Sequence, residues 1–101
     1  MLVCERSSNA ILVKLKGELD HRNAGHIREE LDEMLSDEKI RRLILDLNGL
    51  EFMDSSGIGV ILGRYRLMQK RGGSVCVKNR NRAVDRILDV AGLYRIVEKI
   101  D

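Results

Sequence analysis

The chain has 101 residues, of which 44% are hydrophobic and 34% charged, and its formal net charge is +2. This length predicts one domain, and the interleaving of charged with apolar residues excludes a disordered or fibrous protein. No apolar segment approaches the roughly 20 residues of a membrane span, and the N-terminus MLVCERSSN lacks the pattern of a signal peptide, so we expect a cytoplasmic protein.

Charge and cysteine content narrow the range of partners further. Acidic residues concentrate early and basic residues late, which fits an acidic partner or a phosphate, but also fits ordinary solvated helix faces. Only three aromatic residues occur and no nucleic-acid-reading motif, so we expect no nucleic-acid partner. Cys4 and Cys76 both fall in apolar, strand-like segments, and we expect both to be reduced and buried.

The first half of the chain predicts two strands, a helix and a third strand. Residues 2–6 and 10–16 are predicted strands joined by the turn Ser-Ser-Asn, because apolar residues alternate with lysine in the second of them. LILDL at 43–47 predicts a central strand, followed by a loop with the sequence NGLEFMD. Between them, Asp20 is predicted to cap a helix that runs to about Leu35 and buries Ala24, Ile27, Leu31, Met34 and Leu35.

The second half alternates helix and strand. A helix begins at the Asp-Ser-Ser-Gly segment, the strand SVCV follows the Gly72-Gly73 pair, and Asn81 is predicted to cap a last helix. Gly92 is typical of a left-handed helix end, and the last strand is predicted from Arg95 to Glu98. The order β-β-α-β-α-β-α-β predicts an α/β domain with a mixed, largely parallel sheet and amphipathic helices packed against it.

The helix that begins near Ser55 has an unusual outer face. At about 100° per residue, its core stripe is predicted to contain Ile58, Ile61, Leu62, Tyr65 and Met68. The opposite face has no acid and carries Ser56, Gly59, Val60, Gly63, Leu67 and Lys70.

Glycine inside a helix costs roughly 1 kcal/mol relative to alanine. Gly59 and Gly63 therefore predict a place where another backbone approaches closely, with exposed Val60 and Leu67 beside them as an apolar docking patch for a partner. The alternative is that the two glycines admit a neighbouring helix of the same domain.

Asp54, Ser55 and Ser56 fall at the N-terminus of this helix. Aspartate and serine in such positions normally cap the unsatisfied backbone N–H groups. A phosphate on serine is also tolerated there, because the N–H groups and the helix dipole favour the negative charge of about −1.5 to −2 that it adds. The residues alone leave a structural cap and a phosphorylation site both open.

No enzyme motif is complete in the sequence. Neither Ser55 nor Ser56 is preceded by the glycine of a Gly-x-Ser-x-Gly elbow, and the glycines of this helix miss the dinucleotide-binding fingerprint by one residue. His21 and His26 are five residues apart, which does not place them on one helix face as zinc ligands, and we expect both at the surface. We expect no metal, no cofactor and no catalysis; weak nucleotide contact, a small serine esterase and a nucleotide hydrolase remain the alternatives.

Four segments together resemble one known family. They are GELDHRNAGHIREEL at 17–31, LILDLNGLEFMDSSGIGVILGRY at 43–65, the Gly72-Gly73 turn and DVAGLYRI at 89–96. They are similar to the STAS-domain anti-sigma factor antagonists, in particular the sporulation anti-sigma F factor antagonists of Bacillus-type bacteria. The resemblance implies a protein that binds an anti-sigma factor serine kinase, releases the sigma factor, is phosphorylated on Ser55 and is restored by a PP2C-type phosphatase.

The resemblance also implies a contact surface around Ser55. This surface includes Asp54, Ser56, Gly59 and Arg64, and Asp20 of the GELDH motif is expected near the same site. Family members commonly continue past the last strand into a C-terminal helix, and the expected contact surface of this chain includes no contact made by such a helix. The alternative among binding proteins is a STAS scaffold or sensor subunit of a larger signalling assembly.

Overall fold

The computed structural model describes residues 2–100. Its elements, in chain order, match the predicted succession of strands and helices, with a short 3₁₀ turn added near the end. They are β1 (Leu2–Arg6), β2 (Ala10–Leu19), α1 (Ala24–Met34), β3 (Arg42–Met53), α2 (Ser55–Lys70), β4 (Ser74–Lys78), α3 (Arg82–Val90), the 3₁₀ turn (Leu93–Arg95) and β5 (Glu98–Lys99).

The sheet has five strands in the order β1-β2-β3-β4-β5. β1 pairs with β2 antiparallel, whereas all later neighbours are parallel, as the predicted mixed sheet requires. Because the strand order rises without a reversal, right-handed crossovers place the three helices on one face. The core lies between that face and the helices, and its fully buried side chains include Val13, Leu15, Leu31, Leu45 and Ile61.

The central strand is longer than the sequence predicts. We expected a strand over 43–47 and then a loop, but β3 continues to Met53 and the segment NGLEFM pairs with an extended β2. Asn48 and Gly49 have turn chemistry, yet Gly49 is needed here for close strand approach: a Cβ at this residue would lie 2.8 Å from Lys16 Cγ. The two strands therefore end side by side, with Leu19 opposite Met53.

The first helix begins later than predicted. Asp20 does not cap α1; its carboxylate accepts the backbone N–H of Arg22 at 3.0 Å and closes a turn that precedes the helix. The N-cap position of α1 belongs to Asn23. Asx turns of this kind compete with helix for the same backbone groups, which explains the displacement. Within the predicted stripe, Ile27, Leu31 and Leu35 are buried as expected.

Two other predictions are wrong at the edges of the sheet. Cys4 is exposed, because β1 is an edge strand with little cover, whereas Cys76 in β4 is buried as predicted. The segment from Arg95 is not yet strand: Gly92, with φ of 79°, turns the chain so that Leu93 and Val97 enter the core, and β5 begins only at Glu98.

The predicted cap of the last helix is confirmed. Asn81 Oδ1 accepts the N–H of Val84 at 2.8 Å, and its amide Nδ2 donates to the carbonyl of Leu50 at 2.9 Å. This second bond ties the start of α3 to β3. No helix within residues 2–100 has the length and apolar character needed to cross a membrane.

Candidate functional site

The N-terminus of α2 is capped by Asp54 alone. Asp54 Oδ1 accepts the N–H of Ser56 at 2.8 Å, and Oδ2 accepts the N–H of His21 at 3.1 Å. Partial burial raises the pKa of the Asp54 carboxyl, but the N–H groups of Ser56, His21 and Gly57 outweigh this and hold that pKa below its ordinary value. Asp54 is therefore an ionised cap that also joins α2 to the turn after β2.

Ser55 is the first residue of α2, and its side chain is exposed. Within residues 2–100 its hydroxyl makes no hydrogen bond, because Asp54 already supplies the side-chain cap. The capping explanation left open by the sequence therefore does not apply to Ser55. Ser55 is therefore an exposed residue whose hydroxyl has no structural role, whereas the next residue, Ser56, is half-buried.

The turn after β2 brings Asp20 to the same end of the sheet. The backbone N–H of Asp54 donates to the carbonyl of Leu19 at 3.3 Å, so Asp20 and Asp54 follow directly on two paired strand ends. Asp20 is only 4% exposed, and Arg22 holds its carboxylate through Nε at 3.2 Å and Nη2 at 2.8 Å. This pairing lowers the pKa of the Asp20 carboxyl. The next residue, His21, is exposed, and its Nδ1 lies 3.5 Å from Asp54 Oδ2.

The buried face of α2 is rotated from the predicted one. Ile61 and Met68 are buried as expected, but Ile58, Leu62 and Tyr65 are only half-buried. The rest of the buried face consists of Gly57, Val60 and Arg64.

Val60 is therefore not an exposed docking residue, and Leu67 is half-buried. The reason is that α1 packs beside α2 and covers this side, which a helical wheel of α2 alone does not reveal.

Arg64, predicted from the resemblance to lie in the contact surface, is 8% exposed. Its Nε lies 3.1 Å from Asp32 Oδ1 of α1, so the ion pair links the two helices. Burial lowers the pKa of the Arg64 guanidinium more than Asp32 raises it, but arginine remains charged at any physiological pH. Only a small part of Arg64 is accessible to a partner.

The three glycines of α2 have different roles. A Cβ on Gly57 would lie 2.6 Å from Met53 Cγ and 2.9 Å from the carbonyl oxygen of Leu19, so this position has no room for a side chain. A Cβ on Gly59 or Gly63 would meet nothing within 4 Å. No neighbouring helix of the domain therefore requires glycine at those two positions, and the within-domain alternative for them is wrong.

A groove that the sequence did not predict lies between α2 and α3. It has a volume of about 440 Å³ and is lined by Ser55 and Ile58 of α2 and by Arg86, Ile87 and Val90 of α3. Val90 is 78% exposed. Nothing in the sequence pattern placed α3 beside Ser55, because the separation along the chain is about 30 residues and only the sheet order brings them together. Within residues 2–100 no cluster of three metal-ligating side chains occurs.

The chain folds as a small α/β domain with a mixed five-stranded sheet and an exposed serine at the start of α2. The model of the STAS domain family matches residues 2–101. The chain belongs to the STAS domain family.

Three comparisons with individual proteins agree with this assignment. The chain is 41% identical over 97 residues to the anti-sigma F factor antagonist of Paenibacillus polymyxa, covering 96% of this chain and 83% of that protein. The structure of the anti-sigma factor antagonist SpoIIAA in its unphosphorylated form superposes with a TM-score of 0.85 at 26% identity, over 100% of this chain and 89% of that one. The Bacillus cell fate determinant SpoIIAA in its phosphorylated form gives a TM-score of 0.77 at 25% identity, over 100% and 92%.

Proposed function

We propose that this chain is a cytoplasmic anti-sigma factor antagonist that acts by binding and not as an enzyme. Its partner is an anti-sigma factor that is also a serine kinase, and binding releases the sigma factor for transcription. Phosphorylation of Ser55 switches the antagonist off, and a PP2C-type phosphatase restores it. The similarity to an anti-sigma F factor antagonist over 96% of the chain supports the class of function.

One structural observation carries the choice of residue. Ser55 is exposed at the first position of α2, while Asp54 supplies the cap that a serine would otherwise provide. A hydroxyl in this position can be modified without removing any hydrogen bond among residues 2–100. The neighbouring Ser56 is half-buried, which makes it the poorer substrate.

The proposed modification is a phosphoryl transfer from ATP. A bond forms between Ser55 Oγ and the γ-phosphorus, the bond from that phosphorus to the bridging oxygen breaks, ADP leaves and the hydroxyl proton passes to a base of the kinase or to solvent. Hydrolysis reverses the state: water attacks the phosphorus, Ser55 regains its hydroxyl and inorganic phosphate is released. Both partners supply the catalytic groups, and this chain supplies the accessible hydroxyl.

The surface around Ser55 explains why one phosphate would be sufficient as a switch. Gly59 is exposed and leaves α2 open beside Ser55, so a partner can approach the helix backbone closely. Phosphorylation adds about −1.5 to −2 charges there, and an unpaired charge desolvated in an interface costs several kcal/mol. Since each 1.4 kcal/mol is a factor of ten in affinity, we expect phosphorylation to weaken binding by more than tenfold.

The test begins with phosphorylation in vitro. The protein is incubated with ATP and the anti-sigma factor kinase of its own organism, and intact and peptide mass spectrometry locate the phosphate. We expect a single phosphate on Ser55, none in Ser55→Ala, and normal phosphorylation in the matched control Ser56→Ala. A phosphate elsewhere, or none, contradicts the proposal and favours a STAS scaffold or sensor role.

The second part of the test measures affinity by isothermal titration calorimetry. Ser55→Ala should bind the unmodified kinase about as well as the wild type, because the hydroxyl has no structural partner within residues 2–100. Ser55→Asp should bind at least tenfold more weakly. Equal affinity of the aspartate variant and the wild type would argue against an interface centred on this residue.

A further inference from the structure

The groove between α2 and α3 contains an unused cation. Arg86 of α3 and Ser55 of α2 line the same groove. The neighbouring basic residues Arg80 and Lys99 both pair with Asp85 of α3. Arg86 takes part in no ion pair within residues 2–100, and its side chain is exposed.

The remaining lining of the groove offers Arg86 no counter-ion that is free. Among residues 2–100, Asp54 is the only acidic residue in the wall, and its two carboxylate oxygens are already engaged by the N–H groups of Ser56 and His21. The rest of the wall is apolar and includes Ile58, Ile87 and Val90. A guanidinium group can donate two parallel, charge-assisted hydrogen bonds to a phosphate, which makes arginine well suited to pair with a phosphorylated side chain.

We propose that Arg86 is the intramolecular counter-ion of a phosphate on Ser55, so that phosphorylation joins α2 to α3 by an ion pair across this groove. The inference deepens the proposed function and rests on Ser55 as the modified residue. It adds a second effect to the charge itself, since the ion pair covers the mouth of the apolar groove that the unmodified protein leaves open.

Other charged groups near Ser55 must be separated from the effect of Arg86. Asp54 shares the groove wall and repels a phosphate, and His21 stands against Asp54. Asp20 and Arg22 neutralise one another in the same turn. Because His21 lies against Asp54 and a change of its charge would also alter the phosphate signal, the measurement is repeated in a His21→Gln background.

The experiment uses the full chain with phosphoserine installed at position 55 by genetic encoding, so that no kinase is needed. Phosphorus NMR follows the titration of the phosphate in the wild type, in Arg86→Gln, in Arg86→Lys and in the control Arg82→Gln, which changes an exposed arginine one turn away on α3. We expect Arg86→Gln to raise the titration midpoint by about half a pH unit, as the loss of a surface ion pair predicts. Arg86→Lys should retain most of the wild-type midpoint, and Arg82→Gln should leave it unchanged.

Two results would overturn the inference. One is a midpoint in Arg86→Gln equal to that of the wild type within 0.1 unit, roughly the precision such a titration needs to resolve an ion pair. The other is an equal shift in Arg82→Gln, which would indicate the general field of α3 and not a specific pair. Neither depends on whether the kinase modifies Ser55, so failure of this inference and failure of the proposed function remain distinguishable.

Discussion

Replacing the glycines of α2 one at a time separates their structural role from a role in binding. The structure predicts that replacement by alanine lowers the stability of the domain at Gly57 and raises it at Gly59 and at Gly63. Gly59→Ala and Gly63→Ala each add a methyl group where nothing lies within 4 Å, and each should stabilise the helix by about 1 kcal/mol. For a domain of this size that free energy corresponds to a rise in Tm of roughly 4–8 °C.

Gly57→Ala should have the reverse effect. Its Cβ would lie 2.6 Å from Met53 Cγ and 2.9 Å from the Leu19 carbonyl oxygen. The methionine side chain can move, but the carbonyl belongs to the paired end of β2 and cannot. Overpacking of this kind costs about 1–3 kcal/mol, which exceeds the gain in helix propensity, so we expect a net fall in Tm.

The same variants then test the docking surface. Thermal and urea unfolding followed by circular dichroism give the stability, and calorimetry with the kinase gives the affinity. If the partner approaches the α2 backbone, Gly59→Ala should bind about tenfold more weakly, a loss of about 1.4 kcal/mol, although the free protein is more stable. A variant that is both more stable and equally tight in binding would refute the argument that a partner requires these glycines.

Two further predictions follow from the cysteines and from Asp54. Cys4 is exposed and should react within minutes with a thiol reagent at pH 8. Burial and the hydrogen bond to Glu98 raise the pKa of Cys76 to about 11, so Cys76 should react only on unfolding. Equal reaction rates for the two thiols would contradict the burial of β4. The pKa of Asp54 is lowered in the folded state, so its contribution to stability is complete above the unfolded pKa and is lost as the pH falls through the folded value. Asp54→Asn should accordingly show a shallower loss of Tm between pH 5 and pH 3 than the wild type, and parallel Tm curves would show that Asp54 is not a linked cap.

The succession of elements was predictable because each one carries its own local signal. Asn81 has both the residue type and the spacing of a helix cap, and Gly92 has the residue type of a left-handed stop. The extension of β3 was not predictable, because Asn48 and Gly49 favour a turn when read locally and become strand only through pairing with β2. Local propensity is overridden wherever a neighbouring strand satisfies the backbone better.

The candidate site was predictable in its centre and not at its borders. The residues themselves placed Asp54 and Ser55 together at a helix start, and the family resemblance placed Asp20 beside them. The burial of Val60 and Arg64 could not be deduced from the sequence, because it depends on the position of α1. The groove to α3 also depends on tertiary packing, which brings Arg86 and Val90 beside Ser55 without any pattern shared in the sequence.

The division of tasks at the start of α2 shows how a modifiable residue can be added to a stable fold. Asp54 holds the helix end and the turn after β2, while Gly57 allows the first turn of α2 to pack against Leu19. Since these neighbours supply the local stability, Ser55 can change its charge without loss of a structural contact. Because the cap and the hydroxyl belong to different residues, phosphorylation of Ser55 leaves the Asp54 cap in place, and the start of the helix favours the added negative charge.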